Sequence, residues 1–112
     1  MKHFVLGLVL LAGSALAAEE VKDFGRDRLN TSPRHADWVD IKSGARAIKA
    51  FVVYPERKDK APAVLVVTEI FGLTDWVRGV TDQLAEAGYI AIAPDLLSGT
   101  APGGGGCGNR HR

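Results

Sequence analysis

The chain is poor in cysteine and nearly balanced in charge. Cys107 is the only cysteine among 112 residues, so an intramolecular disulfide is impossible and a small disulfide-stabilised scaffold is excluded. Lysine and arginine together number 14, aspartate and glutamate 13, and the net charge is +1. This balance lacks the basic signature of a protein that binds nucleic acid or an anionic membrane surface. We therefore expect no nucleic-acid partner.

The sequence also has no apolar run long enough to cross a membrane. The run Phe4–Leu11 is shorter than the roughly 18–20 residues that a spanning helix needs. Lys2 precedes this run and Ala15-Leu16-Ala17 follows it, which is the pattern of a secretory signal peptide cleaved after Ala17. Residues 1–17 are thus predicted to be a signal peptide. We expect export to a bacterial periplasm or secretion, with no membrane contact after cleavage.

A central domain is predicted over residues 38–99, with a polar segment before it and a glycine-rich segment after it. Residues 18–37 are polar, carry charges of both signs and contain an Asn-Thr-Ser-Pro break, so they are predicted to be an irregular leader. His35 in this leader has no metal-ligating partner at a useful spacing. We interpret it as a surface or hydrogen-bonding histidine.

Residues 100–112 are predicted to be a Gly-rich irregular tail. From about Gly106 onward its composition suggests a prematurely ended or frame-shifted gene. Cys107 and His111 lie in this tail without the strand and helix that present a nucleophile at an elbow. They are not expected to form a catalytic dyad.

The central segment is predicted to begin with a β-hairpin. Apolar runs at 38–41 and 47–54 flank Ser43-Gly44, which favours two antiparallel strands joined by a tight turn. The charged stretch 56–60 is predicted to be a solvated loop.

A βαβ unit is predicted to follow the hairpin. The uninterrupted apolar runs 63–67 and 89–93 are typical of central parallel strands buried on both faces. A helix over 76–87 lies between them, with Thr74 or Asp75 as its N-cap and Gly88 as its C-cap.

The faces of this helix differ in polarity. Val77, Val80, Leu84 and Ala87 line one face, whereas the polar residues Arg78, Asp82, Gln83 and Glu86 fall mostly on the other. One helix covers one face of a sheet, and the mature sequence shows no second amphipathic helix. The predicted fold class is therefore α/β, with an incomplete sheet and an exposed apolar face.

A lone glutamate, Glu69, follows the first parallel strand at the edge where open α/β sheets place their chemistry. A carboxylate among apolar neighbours is costly to bury unless it is paired, and partial burial would suit a general base. The alternative is a structural ion pair, for which Arg78 is a local candidate. The backbone N–H of Ile70 could donate to an oxyanion. Asp95, after the second strand, is expected to form a turn or a cap.

Three segments of the sequence resemble the dienelactone hydrolase family: T-E-I-F-G-L at 68–73, A-E-A-G-Y at 85–89 and A-P-D-L at 93–96. The resemblance covers about residues 38–99 and implies the amino-terminal part of an α/β-hydrolase fold. It implies hydrolysis of a small-molecule ester or lactone through an acyl-enzyme, without metal or organic cofactor. The family uses a Cys-His-Asp triad, and a serine in place of the cysteine is the alternative. By the same resemblance, Glu69 helps to deprotonate the thiol and the Ile70 amide contributes to the oxyanion hole.

Two departures from the family pattern bear on activity. Leu97-Ser98-Gly99 stand where relatives that open dienelactones carry a substrate-gripping arginine, which favours a neutral ester or lactone instead. The family's G-x-C-x-G elbow and its later aspartate and histidine are missing, so we expect a truncated, inactive form. The alternative is a secreted, non-catalytic α/β binding module that uses its exposed sheet face. The sequence does not predict the oligomeric state.

Overall fold

The computed structural model describes residues 23–100, which form a four-stranded sheet and two helices. The elements in chain order are α1 (Phe24–Thr31), β1 (Ala36–Ser43), β2 (Arg46–Val53), β3 (Ala63–Leu65), α2 (Asp75–Glu86) and β4 (Ile90–Pro94). The strand order is β1-β2-β4-β3, antiparallel except for the parallel pair β3 and β4. The predicted α/β class, with a hairpin followed by a parallel βαβ unit, is confirmed.

The hairpin of β1 and β2 has a tight turn where the sequence predicts one. Pairing runs without a break from Ala36 opposite Val53 to Ser43 opposite Arg46. Gly44 in the turn has φ 61°, a left-handed conformation that glycine adopts without steric cost. This turn lets β2 run back beside β1 and then pair with β4.

Helix α2 packs on one face of the sheet and forms the core with it. Phe51 and Val53 of β2 and Ala93 of β4 lie on this face, where they meet Val77 and Ala85 of α2. At the start of α2, the Thr74 hydroxyl accepts the Val77 N–H at 3.4 Å, so the predicted N-cap is confirmed. Gly88, with φ 99°, ends the helix as predicted.

The prediction of an irregular leader over residues 18–37 is wrong for part of it. Residues 24–31 form helix α1, and the Asp23 side chain caps it by accepting the Arg26 N–H at 3.2 Å. The helix has no apolar stripe, and Gly25 is its only buried residue. It is held instead by close contact with α2, which no local pattern reveals.

The prediction that both parallel strands are central holds for β4 but is wrong for β3. Within residues 23–100, β3 is a three-residue strand at the sheet edge, and Leu65 and Val67 are 62% and 70% exposed. No strand among residues 23–100 pairs with the outer side of β3, so these side chains keep their exposure at the edge of the sheet. Exposed apolar residues are therefore found at β3, but the predicted bare face does not extend to β2, where Ala50 and Val52 are buried.

Neither helix between residues 23 and 100 is long and apolar enough to span a bilayer. The predicted signal peptide, residues 1–17, lies outside the described residues. So does the predicted tail beyond Thr100, including Cys107 and His111.

Candidate active site at the carboxyl edge of the sheet

The carboxyl ends of β3 and β4 meet at one edge of the sheet because the two strands are parallel. The loop 66–74 follows β3 and carries Glu69 and Ile70, and the turn 95–100 follows β4. Binding sites of open α/β sheets lie outside this edge. The sequence-predicted residues are thus brought to the position that the fold offers for chemistry.

Glu69 lies in a turn that leaves its side chain exposed. Its carbonyl oxygen accepts the Gly72 N–H at 2.9 Å, and Gly72 has φ 71°. Among residues 23–100 the Glu69 carboxylate forms no ion pair. Partial burial, which would suit Glu69 to general-base chemistry, is not found among residues 23–100, where its side chain is exposed.

The alternative of a structural pair between Glu69 and Arg78 is wrong. Arg78 instead pairs with Asp75, one turn earlier on α2. Its guanidinium also lies 5.7 Å from the ring centre of Trp38 and 5.8 Å from that of Phe51. These contacts occupy Arg78 on the α2 side of the sheet.

Ile70 is 84% exposed, and within the described residues its backbone N–H has no hydrogen-bond acceptor. A loop amide at the carboxyl edge of a sheet is a donor that a ligand oxygen can use. The Ile70 N–H is therefore available to a ligand, in the residue that follows Glu69.

Asp95 forms a turn, as expected. Its carboxylate is buried and accepts the Leu97 N–H at 3.2 Å, and its own N–H donates to the carbonyl of Lys49 at 2.7 Å. The Asp95 carbonyl accepts the Ser98 N–H at 2.9 Å. These bonds fold the chain back over the end of β2.

Arg46 fixes this same turn, a role that sequence reasoning missed. Its Nε donates to the Ser98 carbonyl at 2.8 Å and its Nη2 to the Leu96 carbonyl at 2.5 Å. The Ser98 hydroxyl also accepts the Lys49 N–H at 3.0 Å. These three bonds attach the turn after β4 to β2.

A buried charge cluster joins α1, the following loop and α2. Asp82 is 1% exposed, and its carboxylate accepts hydrogen bonds from Arg34 at 2.9 and 2.7 Å and from the Ser32 hydroxyl. Arg28 lies 2.9 Å from the same carboxylate and also contacts Glu86. The prediction that Asp82 lies on the exposed face of α2 is wrong, because α1 covers that face.

The cluster shifts the pKa values of Asp82 and Arg34. Burial opposes the charge of Asp82, but hydrogen bonds from Arg34 and Ser32 and the charges of Arg34 and Arg28 outweigh it, so the pKa of Asp82 is lowered from 3.8. The hydrogen bond to Asp82 raises the pKa of Arg34 despite some desolvation. Both groups are therefore charged at neutral pH.

His35 behaves as the sequence analysis expected of a surface histidine. Its Nε2 lies 3.0 Å from the Asp37 carboxylate, and its ring stacks on Tyr54 with ring centres 5.6 Å apart. Within residues 23–100 no three histidine, cysteine or acidic side chains are grouped so that they could hold a metal ion.

Comparison with known proteins extends this picture. A protein from Synechocystis sp. named "Putative carboxymethylenebutenolidase" is 39% identical over 65 residues, which cover 58% of this chain and 26% of that protein. A protein of the same name from Methylorubrum extorquens is 33% identical over 97 residues, covering 87% of this chain and 33% of its own. This chain thus spans between a quarter and a third of these two relatives.

A solved structure agrees with the sequence comparison. The crystal structure of a "Putative Dienelactone Hydrolase" from Klebsiella pneumoniae matches with a TM-score of 0.54 and 37% identity, over 57% of this chain and 27% of that one. The match supports assignment of the sheet and helix to part of an α/β-hydrolase fold. The family model described as "Dienelactone hydrolase family" matches residues 48–110, and the chain belongs to this family.

Proposed function

We propose that this chain supplies the glutamate and amide side of a hydrolase site that cleaves a small ester or lactone through an acyl-enzyme. Membership of the family supports a hydrolase function. The observation that carries the finer proposal is the loop after β3, where the exposed Glu69 carboxylate adjoins the unbonded N–H of Ile70 at the carboxyl edge of the sheet.

In this proposal Glu69 acts as a base toward a cysteine thiol. The carboxylate accepts the thiol proton, and the thiolate attacks the carbonyl carbon of the substrate. The Ile70 N–H donates to the oxyanion that forms on the carbonyl oxygen. The oxyanion collapses, and the alkoxide takes the proton from Glu69 and becomes the alcohol, which leaves from an ester and stays on the acyl group of an opened lactone. Water then attacks the thioester, so that its hydroxyl completes the acid and its other proton returns to the thiolate. No step uses a metal ion or an organic cofactor.

The cysteine must come from outside residues 23–100, which contain none. The full sequence has no G-x-C-x-G segment either, because Asn109 stands where the last glycine would be required after Cys107. A base and one oxyanion donor cannot replace a missing nucleophile. We therefore propose that the 112-residue chain alone has no hydrolase activity.

The turn after β4 supports a neutral substrate. Its residues 96–100 include no arginine or lysine, and the guanidinium of Arg46 donates to two carbonyl groups of this turn. Without a bidentate cation at this position a substrate carboxylate gains little binding energy. A neutral ester or lactone fits this turn better than a dienelactone acid.

A chimaera tests these roles. Residues 48–99 would replace the matching segment of the Klebsiella pneumoniae protein, and hydrolysis of p-nitrophenyl acetate and of a neutral lactone would be followed. Glu69→Gln should lower kcat/KM by about 10²-fold or more, since it removes a positioned base. Ile70→Pro should lower kcat by about 10²-fold because it deletes one oxyanion donor.

Matched variants separate these roles from folding. Ile70→Ala keeps the N–H and should retain activity, and Glu69→Asp should keep part of it. Equal activity of Glu69→Gln and the unsubstituted chimaera would contradict the proposed base. Hydrolysis by the 112-residue chain alone would contradict its proposed inactivity.

We also propose that the chain is exported, on the strength of the Lys2, Phe4–Leu11 and Ala15–Ala17 pattern. Expression in a Gram-negative host should give a periplasmic product whose first residue is Ala18. A cytoplasmic product that still begins at Met1 would contradict export.

A further inference from the structure

Helix α1 reaches the first turn of α2, where the loop that carries Glu69 ends. A Cβ on Gly25 would lie 2.3 Å from the carbonyl oxygen of Asp75 and 2.6 Å from the backbone nitrogen of Trp76, so the two backbones are in direct contact. The Nε of Arg26 also lies 3.5 Å from the Asp75 carboxylate. The amino-terminal end of α1 therefore packs against the turn at which this loop ends.

Backbone hydrogen bonds connect Glu69 to the first turn of α2. We call residues 66–74 the Glu69 loop. The Glu69 carbonyl accepts the Gly72 N–H at 2.9 Å, and the Gly72 carbonyl accepts the Thr74 N–H at 3.0 Å. Thr74 is the N-cap of α2, and its carbonyl accepts the Arg78 N–H at 3.0 Å. A displacement of this first turn therefore reaches Glu69 through a short series of bonded neighbours.

Charges and close backbone contact hold α1 on α2. Gly25 is the only buried residue of α1, and Leu29 is only partly buried where it packs against the core. Arg28 of α1 contacts both Asp82 and Glu86 of α2. Segments with few buried apolar contacts open at a lower free energy than the core does. We therefore expect α1 to detach from α2 more readily than the sheet unfolds.

We propose that α1, docked on the first turn of α2, is a positioning element that keeps the Glu69 loop ordered. The inference rests on the proposed function and deepens it, because this loop carries the proposed base and oxyanion donor. A displacement of about 1 Å at a catalytic group can lower a rate by about 10²-fold. Helix α1 precedes residues 48–110, so it lies outside the region that the family model matches.

Nuclear magnetic resonance relaxation of the full 112-residue chain tests this coupling. Backbone amide order parameters report fast motion within the native state, so a loss of global stability alone does not change them. With α1 docked, the amides of Ile70 and Gly72 should have order parameters of about 0.8, close to those of a rigid backbone. Ile90 and Asp95, whose N–H groups donate hydrogen bonds at the two ends of β4, serve as references.

Two substitutions release α1 through different contacts. Gly25→Ala places a methyl group against the Asp75 carbonyl, and Arg28→Met removes a charge beside Asp82. In each variant, the order parameters of α1 and of the two loop amides should fall to about 0.6 or below, the range of flexible backbone. The two reference amides should keep their values.

Matched variants separate docking of α1 from a general change in charge. Arg28→Lys keeps the positive charge and should keep most of the order in the Glu69 loop. Asp27→Asn changes a charge at an exposed position of α1 and should leave the loop as it is in the unsubstituted chain. Chemical shifts of the strand residues check that the sheet is folded in every variant.

Leu73 gives the loop a second anchor, since its side chain is buried in the core. If α1 became mobile while the loop kept its order parameters and gained no relaxation dispersion, Leu73 would suffice to hold the loop and the proposal would be overturned. So would an equal loss of order in the loop and at the references, or an α1 that both substitutions leave ordered.

These measurements use neither a substrate nor a nucleophile, so their outcome is independent of hydrolysis. Loss of loop order on release of α1, together with full activity of the Glu69→Gln chimaera, would support the positioning role and contradict the proposed base. A loop that stays ordered beside an inactive Glu69→Gln chimaera would overturn the positioning role and leave the proposed base supported.

Discussion

The Arg34 guanidinium and the Asp82 carboxylate form a two-bond ion pair, with Nε–Oδ1 at 2.9 Å and Nη2–Oδ2 at 2.7 Å, and little of either side chain reaches solvent. The two residues lie 48 positions apart in sequence, and their pair joins the segment after α1 to the middle of α2. Helix α2 begins directly after the loop that carries Glu69. By holding α2 in place, the pair therefore also helps to hold the end of that loop.

Asp82→Asn should destabilise the fold strongly. The substitution removes the buried counter-ion of Arg34 and leaves only the exposed carboxylates of Glu56 and Glu86, each 4.0 Å from its Nη1. Breaking a buried pair typically costs about 3–5 kcal/mol. Urea denaturation followed by circular dichroism would measure the loss of unfolding free energy. Asp40→Asn breaks the exposed pair with Lys49 and should cost about 0–1 kcal/mol. Equal effects of the two substitutions would contradict the importance of the buried pair.

Acid should weaken the fold through the same carboxylate. The pKa of Asp82 is lower in the folded chain than its usual 3.8, so the unfolded chain binds this proton more readily. The contribution to stability is complete above about pH 4 and is lost as pH falls through the lowered pKa. Thermal unfolding between pH 2.5 and 7 should show this acid loss, and Asp82→Asn should reduce its slope. A slope as steep in Asp82→Asn as in Asp40→Asn would contradict the assignment.

Close packing of α1 on α2 depends on two glycines. A Cβ on Gly25 would lie 2.3 Å from the Asp75 carbonyl oxygen, and one on Gly79 would lie 2.8 Å from the Gly25 Cα. Alanine is the better helix former by about 1 kcal/mol, but backbone atoms cannot yield to the new methyl group. Gly25→Ala and Gly79→Ala should each destabilise the fold by about 1–3 kcal/mol.

The control for the two glycines is Gln83→Ala, at an exposed position of α2. Its effect on the free energy of unfolding, measured in urea, should be within about 0.5 kcal/mol. If both glycine variants were as stable as Gln83→Ala, the helices would not pack as closely as described.

The elements on either side of the Glu69 loop could be predicted, because the residues that begin and end them act locally. Gly44 in the hairpin turn, Thr74 as N-cap and Gly88 as C-cap each act within a few residues of their own position. Placement of Glu69 and Ile70 at the carboxyl edge follows from the parallel pairing of β3 and β4. Their catalytic roles remain predictions, because they depend on a nucleophile outside residues 23–100.

What the sequence could not predict depends on partners far away in the chain. The burial of Asp82 requires Ser32 and Arg34, which are 50 and 48 residues distant, and α1 has no apolar periodicity of its own. The apolar run 63–67 predicts a buried strand equally well whether or not a neighbouring strand is present. Its exposure in β3 is a property of the assembled sheet.

The contact of Arg46 with the turn after β4 is equally long-range and gives the last prediction. Arg46→Met should remove the donors to the Leu96 and Ser98 carbonyls, 50 and 52 residues away, while keeping much of the apolar stem. Amide hydrogen exchange at Ser98 and Thr100 should then accelerate, because the turn loses the two hydrogen bonds that the guanidinium donates. Arg57→Met, at a solvent-exposed pair with Asp59, should leave these amides unchanged. Unaltered exchange in Arg46→Met would show that Asp95 and Ser98 hold the turn without the guanidinium.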